Sequence, residues 1–227
     1  TQRYDEWAKD YDKDLSEFFG WIAPQTAADY LAKYVHSESL VLDAGAGTGL
    51  VGEELAELGF NRVTALDLSP GMLMVANDKF VYEELRVGEL GKPLEFETGQ
   101  FDATTCVGTL TINHAPPASL DELVRVTKPG GRVVFTMRTD HYKEGGFEAK
   151  QAQLEQDGKW KLLERGERDV FNMVYCVPLF MDLKTSMDSV LNSPPKISSR
   201  VIFFFCAVEK VTTPNKNRNR KDCLFMK

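Results

Sequence analysis

Three alternate glycines, Gly45, Gly47 and Gly49, stand between two carboxylates, Asp43 and Asp67, and this grouping is the part of the chain best able to do chemistry. The run Leu40-Val41-Leu42-Asp43-Ala44-Gly45-Ala46-Gly47-Thr48-Gly49-Leu50 passes from an apolar stretch into a helical pattern. A Cβ at the glycines would obstruct both a sharp turn and the approach of a ligand to backbone N–H groups at a helix N-terminus. Gly47-Thr48-Gly49-Leu50-Val51-Gly52 also satisfies G-x-G-x-x-G, so the pyrophosphate of NAD(P), in an oxidoreductase, is one candidate ligand. Asp43, at the strand end before the loop, favours another: it repels a diphosphate and attracts the ammonium group of a nucleoside bearing an amino-acid arm. Asp67, about 20 residues further on, suits ribose hydroxyls in either class.

The elements that must position these groups follow a βαβ rhythm. Short apolar runs begin near Leu40, Val63, Leu85, Phe101 and Val133. Leu40-Val41-Leu42 and Val133-Val134-Phe135 are continuously apolar, as in strands covered on both faces by helices. Val51, Leu55 and Leu58 recur at helical spacing, Ser69-Pro70 predicts an N-cap, and Ser119-Leu120-Asp121-Glu122 matches a capping box. Lys128-Pro129-Gly130-Gly131 breaks the chain before the fifth strand. Upstream, Tyr4, Trp7, Ala8, Tyr11, Leu15 and Phe18 share a helical stripe, and Pro24 to Val35 forms a second helix. Downstream the pattern predicts a helix over Phe147 to Gln156 and a strand over Trp160 to Glu164. Leu179, Leu183, Met187, Val190 and Leu191 suggest another helix, Ser193-Pro194-Pro195 a turn, and Val201 to Val208 the closing strand, preferred over Val174 to Val177. The implied organisation is a helical cover over residues 1–36, an α/β domain over 37–208 and a flexible basic tail over 209–227.

A net charge of −7 argues against a surface that neutralises phosphate throughout, although six basic residues between Lys210 and Lys227 make the tail a local patch for nucleic acid or an acidic partner. The four cysteines, Cys106, Cys176, Cys206 and Cys223, lack metal-ligand spacing and read as reduced thiols, so no metal site is expected. No apolar run has the ~18 residues of a membrane span, and no charged-then-apolar segment opens the sequence; a cytoplasmic, or nuclear, location is the expectation.

Val41-Leu42-Asp43-Ala44-Gly45-Ala46-Gly47-Thr48-Gly49 resembles the first motif of the class I S-adenosylmethionine methyltransferases, and Leu66-Asp67-Leu68-Ser69-Pro70-Gly71-Met72-Leu73 resembles their second. Phe101-Asp102-Ala103 and Thr127-Lys128-Pro129-Gly130-Gly131-Arg132 resemble the segments at their fourth and fifth strands. With the opening Tyr4-Asp5-Glu6-Trp7-Ala8 to Tyr11-Asp12, residues 3–170 are similar to the methyltransferase-like proteins of the Williams-Beuren chromosomal region. The resemblance implies a doubly wound, mostly parallel seven-stranded sheet and a methyltransferase using S-adenosylmethionine, with S-adenosylhomocysteine as product. By it Gly45, Ala46, Gly47 and Gly49 line the cofactor, Asp43 lies near its amino-acid portion, and Asp67 takes the ribose. Leu68 or Met72 packs on adenine, Glu89-Leu90 meets the adenine amino group, and Val107-Gly108 faces the methyl-bearing end. Tyr4, Trp7 and Tyr11 close over the sulfonium, where aromatic faces attract a cation.

Methyl transfer from a sulfonium needs orientation and desolvation more than a dedicated base. His114 after the fourth strand is the first candidate for one, followed by His141 and Tyr142 after the fifth. Asn113-His114-Ala115-Pro116-Pro117 departs from the Asn-Pro-Pro-aromatic pattern that serves amino groups on bases, and no Pro-Cys nucleophile follows the fourth strand. A small-molecule acceptor is therefore the expectation, with nucleic acid and protein as open alternatives and a non-catalytic cofactor-binding protein as a rival reading.

Overall fold

The computed structural model describes residues 2–13, 15, 21–111, 114–169 and 200–209. Their elements run α1 (Gln2–Lys13), α2 (Ala23–Ala32), β1 (Val41–Ala44), α3 (Leu50–Glu57), β2 (Val63–Asp67), α4 (Pro70–Asn77), β3 (Glu84–Val87), β4 (Phe101–Leu110), α5 (Ser119–Val126), β5 (Thr127–Arg138), α6 (Thr139–Glu144), α7 (Phe147–Gln156), β6 (Trp160–Asp169) and β7 (Arg200–Val208). The strands form one seven-stranded sheet in the order β3-β2-β1-β4-β5-β7-β6. The β1–β2, β2–β3, β1–β4 and β4–β5 pairs are parallel, while β7 lies antiparallel between β5 and β6. The order reverses at β1, whose carboxyl end carries the glycine loop, and such reversals leave a crevice for ligands.

Alternating side chains supply both faces of the core. Val41 and, in β7, Phe203 and Phe205 join α2 and α3 on one side, whereas Leu42, Phe204 and Cys206 join α5 and α7 on the other. Trp160, Phe135 and Phe204 stack nearly parallel in this second layer, with interplanar angles of 8° and 11° about Phe135. Cys106 and Cys206 are buried free thiols.

Several sequence expectations change in detail. Ser69 caps α4 as expected, its hydroxyl accepting from the Met72 N–H at 3.1 Å. Ser119 does not cap α5: it is already helical, and Glu122 instead accepts from the Leu94 N–H and pairs with Arg125. Leu58 lies just beyond α3 and is exposed. The break before the fifth strand is an interruption inside β5, because Phe101 pairs with Thr127 but Ala103 with Arg132. β6 runs to Asp169, not Glu164, since β7 pairs along its whole length; as an edge strand it tolerates the charges that ended the apolar pattern. Helix α6 was not anticipated. Phe18, the helix drawn through Leu179 to Leu191, the Ser193-Pro194-Pro195 turn, Val174 to Val177, Cys176, Cys223, Asn113 and the basic tail lie outside the described residues. No helix among the described residues is long and apolar enough to cross a membrane.

Candidate functional site

The loop after β1 turns through three left-handed glycines, with φ of +80° at Gly45, +56° at Gly47 and +94° at Gly49. Each has a different spatial reason. A Cβ on Gly45 would meet Thr109 Oγ1 at 2.1 Å, and one on Gly49 would meet Tyr82 Cε2 at 2.9 Å, whereas one on Gly47 would find nothing within 4 Å. Gly47 therefore faces open space. That space is a cavity of about 280 Å³ whose walls include Gly45, Ala46, Gly47, Asp67, Leu68, Met72, Glu89, Leu90, Val107, Gly108, Tyr4, Tyr11 and His114.

Backbone hydrogen bonds fix the loop before any ligand arrives. The Gly45 and Ala46 N–H groups both donate to the Leu66 carbonyl, at 2.7 and 3.0 Å. Asp67 ends β2 and accepts from the Gly47 N–H through Oδ2 and from the Ser69 N–H through Oδ1, each at 2.8 Å. A carboxylate has about four lone-pair directions, so capacity remains for a hydroxyl donor from the cavity. Burial raises the Asp67 carboxyl above its ordinary value, and the N–H groups of Ser69, Gly47 and Leu68 oppose that shift.

Asp43 is 0% exposed and stands behind the loop rather than on the cavity wall. Its carboxylate accepts from Tyr82 Oη at 2.7 Å and from Thr105 Oγ1 at 2.9 Å. Burial pushes its pKa up to about 6 against these two hydrogen bonds. Gly49 likewise starts α3 without lining the cavity, and Trp7 packs edge-on against Tyr11 with ring centroids 4.7 Å apart. Glu89 is on the wall, with its carboxylate 2.6 Å from Lys92 Nζ.

Of the three candidate bases, only His114 reaches the cavity. Its Nε2 lies 2.8 Å from Tyr4 Oη and its Nδ1 lies 2.7 Å from Thr111 Oγ1. Helix α6 carries the other two away: buried Tyr142 donates to Gln151 Oε1 at 3.0 Å, and His141 packs against Phe147. Burial lowers the His141 pKa there.

Helix α1 crosses the cavity and is fastened by polar side chains. Asp5 accepts from Ser69 Oγ at 2.5 Å and from the Gly71 N–H at 2.9 Å, at the start of α4. Those hydrogen bonds, from Ser69 first and Gly71 second, lower the Asp5 pKa. Asp12 accepts from the Thr48 hydroxyl and pairs with Lys79 at 2.6 Å, and Lys79 also pairs with Glu53 of α3 at 2.6 Å.

The chain resembles known proteins over these same elements. The family model for a methyltransferase domain matches residues 42–135, from β1 into β5. Human Methyltransferase-like protein 27 is 42% identical over 167 residues, covering 70% of this chain and 66% of that protein. The matched domain and its fold are those of the class I S-adenosylmethionine-dependent methyltransferases. Within that family, the ubiquinone biosynthesis O-methyltransferase of Xanthomonas oryzae pv. oryzae is 38% identical over 100 residues, 42% of this chain and 41% of that enzyme. The chain thus spans just under two thirds of the human relative and about two fifths of the bacterial one. A TehB-like methyltransferase from Corynebacterium glutamicum shares the fold at TM-score 0.63 and 18% identity, over 92% of this chain and 100% of that one. A Haloferax volcanii methyltransferase solved in complex with the Trm112 activator does so at TM-score 0.63 and 18% identity, over 91% of this chain and 98% of that one. The nicotinamide reading of Gly47, Gly49 and Gly52 gives way to this family, and Gly52 has a local reason: a Cβ there would meet Tyr82 Cζ at 2.3 Å.

Sequence reasoning missed residues that build this site from a distance. Trp21, between α1 and α2, lines the cavity, and its ring would lie 3.0 Å from a Cβ on Gly108. Tyr82 backs the loop through Asp43, and Thr48 and Lys79 hold α1. Only Asp5 and Asp12 left a trace, being two helical turns apart on the stripe side of α1.

Proposed function

We propose that this cavity binds S-adenosylmethionine and that the chain transfers its methyl group to a small-molecule acceptor. The observation that carries this reading is the pairing of an open, side-chain-free Gly47 with Asp67, whose carboxylate already holds the Gly47 N–H and keeps lone pairs toward the cavity. Ribose hydroxyls would donate to Asp67. Adenine would lie between Leu68, Met72 and Leu90, near Glu89, with the amino-acid arm along Gly45 to Gly47. Asp43 would act on the arm's ammonium from behind the loop, through its field rather than by contact. Tyr4 and Tyr11, with Trp7 supporting them, would cover the sulfonium, and Val107-Gly108 would wall the methyl-bearing end.

When bound, this cofactor supplies an activated methyl group and a thioether leaving group. The chain supplies position and exclusion of water, contributions that amount to several kcal/mol of barrier lowering in well-oriented reactions. A small acceptor is favoured by the cover of α1 over the cavity, the net charge of −7 and the name of a relative that methylates oxygen in ubiquinone biosynthesis. The test is transfer of a tritiated methyl group from S-adenosylmethionine into cell extract. The reading expects label in the low-molecular-weight fraction; label confined to nucleic acid or protein, or no transfer, would contradict it.

A further inference from the structure

The methyl-bearing end of the cavity contains a proton acceptor that the bare transfer of a methyl group does not require. Among the described residues, the ionisable side chains on the wall are Tyr4, Tyr11, Asp67, Glu89 and His114. Asp67 ends β2 and Glu89 follows β3, on the opposite side of β1 from His114, which follows β4. Tyr11 is held as a neutral phenol by burial. His114 is left as the side chain that can accept a proton at one ring nitrogen while donating from the other.

Resting on the cofactor reading above, we propose that Tyr4 and His114 form a proton relay for a hydroxyl acceptor, so that methylation occurs on oxygen. The two hydroxyls that flank His114, Tyr4 Oη at 2.8 Å and Thr111 Oγ1 at 2.7 Å, carry the argument. A neutral imidazole donates from one nitrogen and accepts at the other, whereas the cation donates from both. Hydroxyls rotate to serve either state, so the ring can gain a proton without leaving a hydrogen bond unmade. Tyr4 and His114 both line the cavity, with the Tyr4 hydroxyl against the imidazole. As the O–CH3 bond forms and the S–CH3 bond breaks, the electron pair stays on sulfur and the acceptor's O–H proton passes to Tyr4 Oη. The proton of Tyr4 passes to His114 Nε2. A hydroxyl keeps its proton at neutral pH and needs this removal. An amine arrives as an ammonium ion and would call for a carboxylate, which this side of β1 does not place on the described wall.

The tests use the intact chain and two conservative variants. Tyr4→Phe keeps the ring against Trp7 and His114 but lacks the hydroxyl, and His114→Gln can hydrogen-bond both neighbours but cannot take up a proton. The chain has three histidines, so labelled ring-nitrogen spectra are simple to assign. Tyr4→Phe should move the His114 signals without ligand and leave those of His36 and His141 in place; unmoved His114 signals would overturn the relay. With 3,4-dihydroxybenzoate, 3-(aminomethyl)benzoate and 3-mercaptobenzoate as probes, methylation should fall on the hydroxyl probe. Its rate should drop about 100-fold in His114→Gln, while S-adenosylhomocysteine still binds that variant with the parent's affinity. Undiminished hydroxyl transfer by His114→Gln, transfer to the amine or thiol probe alone, or a parent that binds S-adenosylhomocysteine but methylates no probe would each overturn the relay and leave the cofactor reading standing. A parent that fails to bind S-adenosylhomocysteine would remove both.

Discussion

The glycine loop and helix α1 face each other across one cavity and are held in opposite ways. The loop is fixed by its own backbone: Gly45 and Ala46 donate to Leu66, Gly47 to Asp67 and Gly49 to Ala46, with buried Asp43 and Tyr82 behind. Helix α1 is fixed by side chains at its rim, the exposed Asp5 and the partly exposed Asp12, reaching Ser69, Gly71, Thr48 and Lys79. Backbone bonds closed inside a sheet edge give a cradle that is formed before the ligand enters. Surface ion pairs are weak and screened by salt, so the cover can open locally while the cradle stays intact. The difference teaches that the cradle is part of the sheet edge, whereas the cover is an attachment to it.

Breaking the cradle should have the largest effect. Asp67→Ala removes both the strap on Gly47 and the proposed ribose acceptor. Charged hydrogen bonds are worth ~1.5–3 kcal/mol each, so affinity for S-adenosylhomocysteine should fall about 100-fold or more in calorimetry. Gly45→Ala comes next: its Cβ collides with Thr109 at a φ of +80°, which should cost about 2 kcal/mol in urea unfolding. Thr109→Ala in the same chain should recover part of that loss.

Asp43 sharpens the comparison by showing what burying a charge behind the cradle costs. Its folded pKa, pushed up to about 6, lies above the roughly 3.9 of an unfolded aspartate. Below that lower value both states are protonated and nothing is lost. As pH rises from about 4 to about 6 the unfolded chain releases a proton that the folded chain retains, so stability falls and then levels off. Asp43→Asn, which can keep the contacts to Tyr82 and Thr105, should remove this falling limb, a difference on the order of 3 kcal/mol in unfolding at pH 7.

The smallest effect belongs to the cover. Asp12→Asn should raise hydrogen exchange in residues 2–13 about tenfold, a loss of ~1 kcal/mol, and leave β1 and β4 protected. High salt should reproduce the effect in the parent chain. Equal loss of protection in β1 would contradict the division between cradle and cover.

The cradle was legible in the sequence because its chemistry is local. A turn that needs positive φ selects glycine, and a carboxylate at each of two strand ends marks the crevice, so Gly45, Gly47 and Asp67 stand out by type and spacing. The bounds of α7 were read as they stand, Phe147 to Gln156, from helical periodicity. The cover was legible only as an aromatic stripe. Its fastening depends on Lys79 and Thr48, remote in sequence, and no period links them to Asp12. Trp21 and Tyr82 sit outside any repeating pattern, so their places emerge only when the chain folds. Ser119 shows the converse failure: the capping motif is present, but Glu122 finds better partners in Leu94 and Arg125. His141 and Tyr142 had the right position after the fifth strand, yet α6 turns them toward α7.

The central claim is that this preformed cradle grips an adenosyl methyl donor. Calorimetric titration of the intact chain with S-adenosylhomocysteine tests it most directly. The account predicts a single saturable site, and a heat signal no different from dilution would contradict it.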